Sequence, residues 1–317
     1  MMLLDRPIDL AADATLKGAI VVASDFSPGA ERAQERALRL ARASDAPLAL
    51  VHVLPQDWLA SLQEWLSATR GVETVAGTVR ATLAGCAQRL SQPLGRPVRA
   101  VLLSGHPVQA LAEVAAACEA RLVVVGALGQ DSAGASARRL LLGTTAERLL
   151  RKTQQPLLVV RGEPTQPYER VLLPVDFSPW SAPTLAVADA LAPVAHIHLL
   201  HAYRVPFEEK LRFAGVPDET IAMYRQQARS RAHARLRALA QAQGWTSARY
   251  TLLLREADAA PSIVETAQTH RCDLIVIGKH GTSAAEDLLL GSVTKHVVAE
   301  APCDVLVSPA SAHGPSG

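Results

Sequence analysis

The chain has 317 residues, 49% of them apolar, 20% charged and 4% aromatic, with 32 basic against 30 acidic side chains and a formal net charge of +2. That length suggests two domains, and that apolar content excludes a disordered chain. The balanced charge and scarce aromatic rings provide neither the basic stripe nor the stacking platform of a nucleic-acid binder, and no stretch reaches the ~20 apolar residues that span a bilayer.

Asp5, Arg6 and Pro7 break the opening segment before a signal-like apolar run can build. Ala19–Asp25 is a short β-branched run that reads as a buried strand. Ser27 follows as a helix N-cap with Pro28 in the first helical position, and Ala33, Ala37, Leu40 and Ala41 recur behind them at helical spacing. Leu48–Leu54 is a second strand, Pro55–Leu94 a mostly helical region, Val98–Leu103 a third strand and Val108–Ala117 a helix. The fourth strand ends in Gly126 and Gly129. Thr144 and Glu147 form a capping-box pattern before the last helix, Thr145–Lys152, and Pro156–Arg161 carries a fifth strand. Gly162–Glu169 is a Pro/Gly/polar linker.

The series then starts again. SDFSP at Ser24–Pro28 returns as VDFSP at Val175–Pro179, so Asp25 and Asp176 lie 151 residues apart. His52 returns as His201 after 149 residues, Gly126 as Gly278 after 152, and Gly143 as Gly291 after 148. Pro156–Arg161 returns near Cys303–Pro309. Chance does not keep five blocks in step. The second set of elements is Arg170–Asp176, a helix capped by Ser178 with Pro179 first, Ile197–Tyr203, the helical region Val205–Gly244, Arg249–Leu254, Ser262–Thr269, Asp273–Gly281 and Val293–Glu300. The chain thus reads as two copies of one domain of about 150 residues, 1–164 and 165–317. Strands that are apolar throughout, separated by helices, predict an α/β fold: two tandem doubly wound domains, each with a five-stranded parallel sheet. Ligands in such sheets bind beyond the carboxyl ends of the strands, near the switch point.

Gly278–Ser292, GKHGTSAAEDLLLGS, carries the most chemistry. Two glycines three apart end a strand, and after nine residues Gly291-Ser292 precedes a helix. Bare glycine backbone admits a polyphosphate, and a helix N-terminus supplies unpaired N–H groups and partial positive charge. Ser292 would cap the helix or bind a phosphate oxygen, and Val293 and Thr294 would add first-turn amides. The spacing is neither a Walker A loop nor GxGxxG.

Gly-x2-Gly-x9-Gly-Ser between the fourth strand and last helix, with the strand-end Asp and DLIVIGKHG, resembles the ATP-binding branch of the universal stress protein family. The resemblance covers nearly the whole chain, twice. It implies a tandem protein with a Rossmann-like, adenine nucleotide alpha hydrolase-like fold and a regulatory, stress-response role; the scattered cysteines and the lack of a signal-like or membrane-spanning run read as cytoplasmic. It implies that Asp176 meets the adenine or ribose end with Pro174, Val175 and Phe177 as walls, and that Ala202 lies along the adenine. Gly278, Gly281, Gly291, Ser292, Val293 and Thr294 would hold the ribose and phosphates. Lys279 and His280 sit inside the loop within reach of phosphate. ATP would bring Mg²⁺ with it, since no protein cage for the ion is visible. The resemblance also implies that two such domains pair through their last strands, here within one chain; a homodimer and unknown protein partners stay open.

The first half keeps Asp25, Val53, Gly126, Gly129, Gly143 and Thr144 in matching places, but thirteen residues separate Gly129 from Gly143. The extra four must loop out or displace phosphate donors, so the first half is expected to bind weakly or not at all. No Ser/His/Asp or Cys/His set marks a catalytic nucleophile. Slow ATP hydrolysis or phosphotransfer is the alternative, and a scaffold that binds no nucleotide is the third reading. His196, His198 and His201 lie on a strand of alternating faces with no carboxylate nearby, so they read as strand histidines and not a metal site. Cys86, Cys118, Cys272 and Cys303 form no CxxC pair and read as small buried hydrophobes.

Overall fold

The structure, a computed structural model, describes residue 10 and residues 13–56, 69–127, 143–204, 208–281 and 290–309. It divides into two compact units, Met1–Pro167 and Tyr168–Gly317.

Unit 1 contains β1 (Ile20–Ala23), α1 (Pro28–Ser44), β2 (Leu48–Pro55), α2 (Thr69–Leu94), β3 (Arg99–Gly105), α3 (Pro107–Ala117), β4 (Leu122–Gly126), α4 (Thr144–Lys152) and β5 (Leu157–Val160). Its strands run in the order β3-β2-β1-β4-β5, and every pairing among them is parallel. Unit 2 repeats the plan with β6 (Arg170–Pro174), α5 (Ser181–Leu191), β7 (His196–Tyr203), α6 (Glu208–Phe213), α7 (Asp218–Ala242), β8 (Tyr250–Glu256), α8 (Ala259–Thr269), β9 (Leu274–Gly278), α9 (Ser292–Glu300) and β10 (Asp304–Ser308). Its order is β8-β7-β6-β9-β10, again parallel throughout.

Burial explains the apolar runs. Strands covered on both faces are apolar throughout, and β4, β5, β9 and β10 are buried almost end to end. On α1 the buried stripe Ala33, Ala37, Leu40 and Ala41 faces the core. In each unit the strand order reverses between the first and fourth strands, β1 and β4 or β6 and β9. That is where a parallel sheet opens a crevice at its carboxyl edge. Among the described residues no helix is long and apolar enough to cross a membrane.

Three cap assignments differ from the sequence expectation. Ser27 does cap α1, its Oγ accepting from the Ala30 amide at 3.1 Å. Ser178 does not cap α5, which opens only at Ser181 with Trp180 in the cap position. Pro183 is the reason: a helix opening at Pro179 would need an N–H from residue 183, and proline has none. The capping box at Thr144 and Glu147 does not form either, because Gly143 takes the cap position and Glu147 pairs instead with Arg151 at 2.8 Å. In α9 Gly291 is the cap, and Ser292 is the first helical residue, not the cap.

Candidate functional site

Both units turn from their first strand into their first helix by the same device. In unit 2 Asp176 Oδ1 accepts from the Ser178 amide at 2.9 Å and from the Ser181 hydroxyl at 3.2 Å. This side-chain turn places Phe177 at φ +61°, a conformation bulky residues avoid. Unit 1 shows the same value at Phe26, with Asp25 accepting from the Ser27 amide at 3.0 Å. A histidine braces each turn. His201 Nδ1 lies 2.7 Å from the Val175 carbonyl, and the ring centroids of His201 and Phe177 are 4.4 Å apart. A carbonyl only accepts, so Nδ1 carries the proton and Nε2 is left as an acceptor. Burial pushes the His201 pKa below its ordinary value, the carbonyl bond resists, and Arg235 pushes it down again. His52 repeats this on Ser24 and Phe26 at 2.7 and 4.6 Å, with burial again lowering its pKa.

At the carboxyl edge of the unit 2 sheet the Asp176 turn borders a cleft of about 370 Å³, within the range of small-molecule sites. Pro174, Val175 and Asp176 line one side and Ala202 another, while Gly278, His280 and Gly281 come from the end of β9. Gly291, Ser292, Val293 and Thr294 close it from the start of α9. Thus eleven of the thirteen residues named from sequence for this half line one cavity. Phe177 and Lys279 do not. The Phe177 ring is held between His201 and Arg235, whose guanidinium lies 4.0 Å from its centroid. Lys279 is 3% exposed, and its backbone links neighbouring elements, donating to Ser308 O at 2.7 Å and accepting from Gly291 N at 3.1 Å.

The cleft glycines differ in how closely their neighbours approach. A Cβ on Gly281 would stand 3.0 Å from Asp176 Oδ2, so this backbone lies against the carboxylate. A Cβ on Gly291 would stand 3.4 Å from the Lys279 carbonyl. Thr294 donates its hydroxyl to the Gly278 carbonyl at 2.8 Å and so ties α9 to the end of β9. The first intrahelical bond of α9 runs from Lys295 to Gly291, which leaves the amides of Ser292, Val293 and Thr294 with no helical acceptor. These donors and their partial positive charge suit an anion.

Sequence reasoning missed Trp180, Ser181, Thr184, His201, Tyr203 and Ile263, which also line the cleft. Their position on the first helix turn, second strand end and α8 was legible, but their direction depends on where each helix opens. Arg255 and Glu256, at the end of β8, are not among the lining residues described; Glu256 pairs with Arg225 at 3.3 Å.

Unit 1 assembles its matching residues differently. Asp25 holds the turn, Val53 is 8% exposed, and Gly143 donates to Ala127 O at 2.7 Å before Thr144 opens α4. A Cβ on Gly126 would meet the carbonyl carbon and oxygen of Gly29 at 2.7 Å. The backbone of α1 therefore fills the place that Trp180 and Thr184 border beside Gly278. Gly129 and the lengthened loop lie outside the described residues.

Three further histidines, His196, His198 and His270, cluster in unit 2. The His198 ring lies 5.0 Å from His196 and 4.7 Å from His270, while His201 points to the other face of the strand, onto Phe177. Among the described residues no group of three or more His, Cys, Asp or Glu is arranged to hold a metal ion.

The profile of the universal stress protein family matches the chain twice, at residues 18–161 and 167–309. A universal stress protein of Mycolicibacterium smegmatis is 26% identical over 296 residues, 91% of this chain and 96% of the relative. One from Thermus aquaticus is 34% identical over 143 residues, 44% of this chain and 98% of the relative. The crystal structure of a universal stress protein from Archaeoglobus fulgidus superposes with a TM-score of 0.66 at 17% identity, covering 93% of this chain and 99% of that one. With the fold, the repeat and both matched halves in agreement, the chain belongs to the universal stress protein family, as a tandem protein of two such domains.

Proposed function

We propose that unit 2 binds an adenine nucleotide, ATP with its Mg²⁺, and that the bound state governs a regulatory, stress-response role. One observation carries this: Gly278, Gly281 and Gly291, Asp176 and the open first-turn amides of α9 meet in a single cleft of about 370 Å³. The amides and bare backbone suit the phosphates, and Asp176, Val175 and Ala202 would meet the ribose and base. Mg²⁺ would be held chiefly by phosphate oxygens. Asp176 Oδ1 is committed to two turn donors, which suits a fixed recognition group better than a general base. Unit 1, with α1 against Gly126, binds weakly or not at all. Binding would bias the protein between states through its unequal contacts in each. A cytoplasmic location belongs to the same proposal and fits four buried free thiols.

The test is thermal unfolding with and without Mg²⁺–ATP, on wild type and on Gly281→Val. Ligand at ~100 times its Kd adds ~2.7 kcal/mol to the unit that binds it, about 5–10 °C for 150 residues. The shift is expected in one unit of the wild type and absent from the variant, whose new side chain would collide with Asp176. No shift in the wild type, or two equal sites by calorimetry, would overturn the reading.

A further inference from the structure

The two units open their first helix differently on the same DFSP motif, and the difference falls at the cleft. In unit 1 α1 opens at Pro28, and the bare backbone of Gly29 presses onto the end of β4, 2.7 Å from where a Gly126 Cβ would stand. In unit 2 the matching residues are Pro179 and Trp180. There α5 opens at Ser181, and its first helical amide bond runs from Thr184 to the Trp180 carbonyl at 3.1 Å. Two side chains account for the change. Pro183, where α1 has Arg32, cannot donate to the residue 179 carbonyl, so the helix cannot begin there. Trp180, where α1 has Gly29, is too bulky to let backbone settle on the strand end. Its Cβ stands 4.0 Å from the Cβ position of Gly278, and Trp180 and Thr184 line the cleft.

We propose that Trp180 and Pro183 are the residues that open the unit 2 cleft: Pro183 holds back the start of α5 and Trp180 wedges its first turn away from Gly278. Trp180 acts by bulk, as a positioning residue. The inference deepens the nucleotide-binding reading and rests on it for its binding readout, but its structural readout stands alone.

The experiment compares wild type, Trp180→Leu and the double variant Trp180→Gly with Pro183→Arg, in the full chain. The double variant carries the residues that unit 1 already uses at these positions. The fluorescent probe N-methylanthraniloyl-ATP, with Mg²⁺, measures binding, and crystal structures of wild type and double variant measure the cleft. Trp180→Leu, which keeps most of the bulk, is expected to lose less affinity than the double variant, which should bind at least tenfold more weakly than wild type. In the double variant the helix should open at Pro179 with the residue 180 backbone against Gly278. If Trp180→Leu loses as much affinity as the double variant, the indole is a ligand contact and the wedge is overturned. A double variant whose helix still opens at Ser181 overturns it as well. If the wild type binds no probe, nucleotide binding itself fails, and the crystal structures alone decide the wedge.

Discussion

Gly126 and Gly278 hold matching strand ends but answer to different neighbours. A methyl on Gly126 would meet backbone atoms of Gly29 at 2.7 Å, which cannot swing aside. A methyl on Gly278 would meet the His280 carbonyl at 3.2 Å and the Thr184 hydroxyl at 3.5 Å, close but tolerable after a small shift. Gly126→Ala should therefore cost unit 1 about 1–3 kcal/mol by overpacking, and Gly278→Ala distinctly less in unit 2. Urea unfolding of the two variants checks this; equal losses would show that the strand ends are equally crowded. The strand-end glycines and aspartates were legible because each demands a residue type: bare backbone, or a carboxylate that closes a turn. The direction of Phe177 was not. The Asp176 turn sets its φ of +61° locally, but its ring is turned from the cleft by His201 and Arg235, 24 and 58 residues away in sequence.

At the scale of the element, two identical tripeptides, Phe-Ser-Pro, give two helix starts. Ser27 satisfies the Ala30 amide, so Ser27→Ala should destabilise unit 1 by about 1 kcal/mol. Ser178→Ala removes no cap bond from α5 and should cost less, a contrast that denaturant titration of both variants would read directly. Most strands and helices were legible from apolar runs and helical spacing, since burial on both faces imposes the first and an amphipathic face the second. Cap positions were less so. The cap of α5 is decided by Pro183, five residues beyond Ser178, and that of α4 by Gly143, one residue before the Thr-x-x-Glu pattern. A cap motif states which residue is able to cap; the hydrogen-bond ladder behind it decides which one does.

For the whole molecule, the repeat announces two units because five blocks return at nearly constant spacing. What the repeat hides is a contact within unit 2. His270, at the end of α8, lies 72 residues from His198 in sequence yet packs on its ring. Sequence spacing grouped His196 and His198 with His201, which the alternation of β7 sends to the other face. His198 is 8% exposed, and its Nδ1 has no hydrogen-bond partner among the described residues. Burial first, then the neighbouring His270, His196 and Arg170, push its pKa down to about 4. The sign follows. Between the ordinary histidine value near 6.5 and about 4 the unfolded chain holds this proton and the folded unit does not, so acid favours unfolding. Asp273 opposes this in unit 2, because burial raises its pKa and acid then favours the folded form. A comparison that leaves Asp273 in place isolates the histidine. His198→Leu removes both the titration and the unpaired nitrogen, so its stability relative to wild type should rise as pH falls below 6.5, by on the order of 1–2 kcal/mol at pH 4.5 once solvent screening is allowed for. Urea unfolding at pH 7, 5.5 and 4.5, with unit 2 followed by amide hydrogen exchange of β7 and β8, measures the gap. A gap that stays constant with pH would mean that His198 titrates alike in the folded and unfolded chain, and that the cluster contributes packing alone.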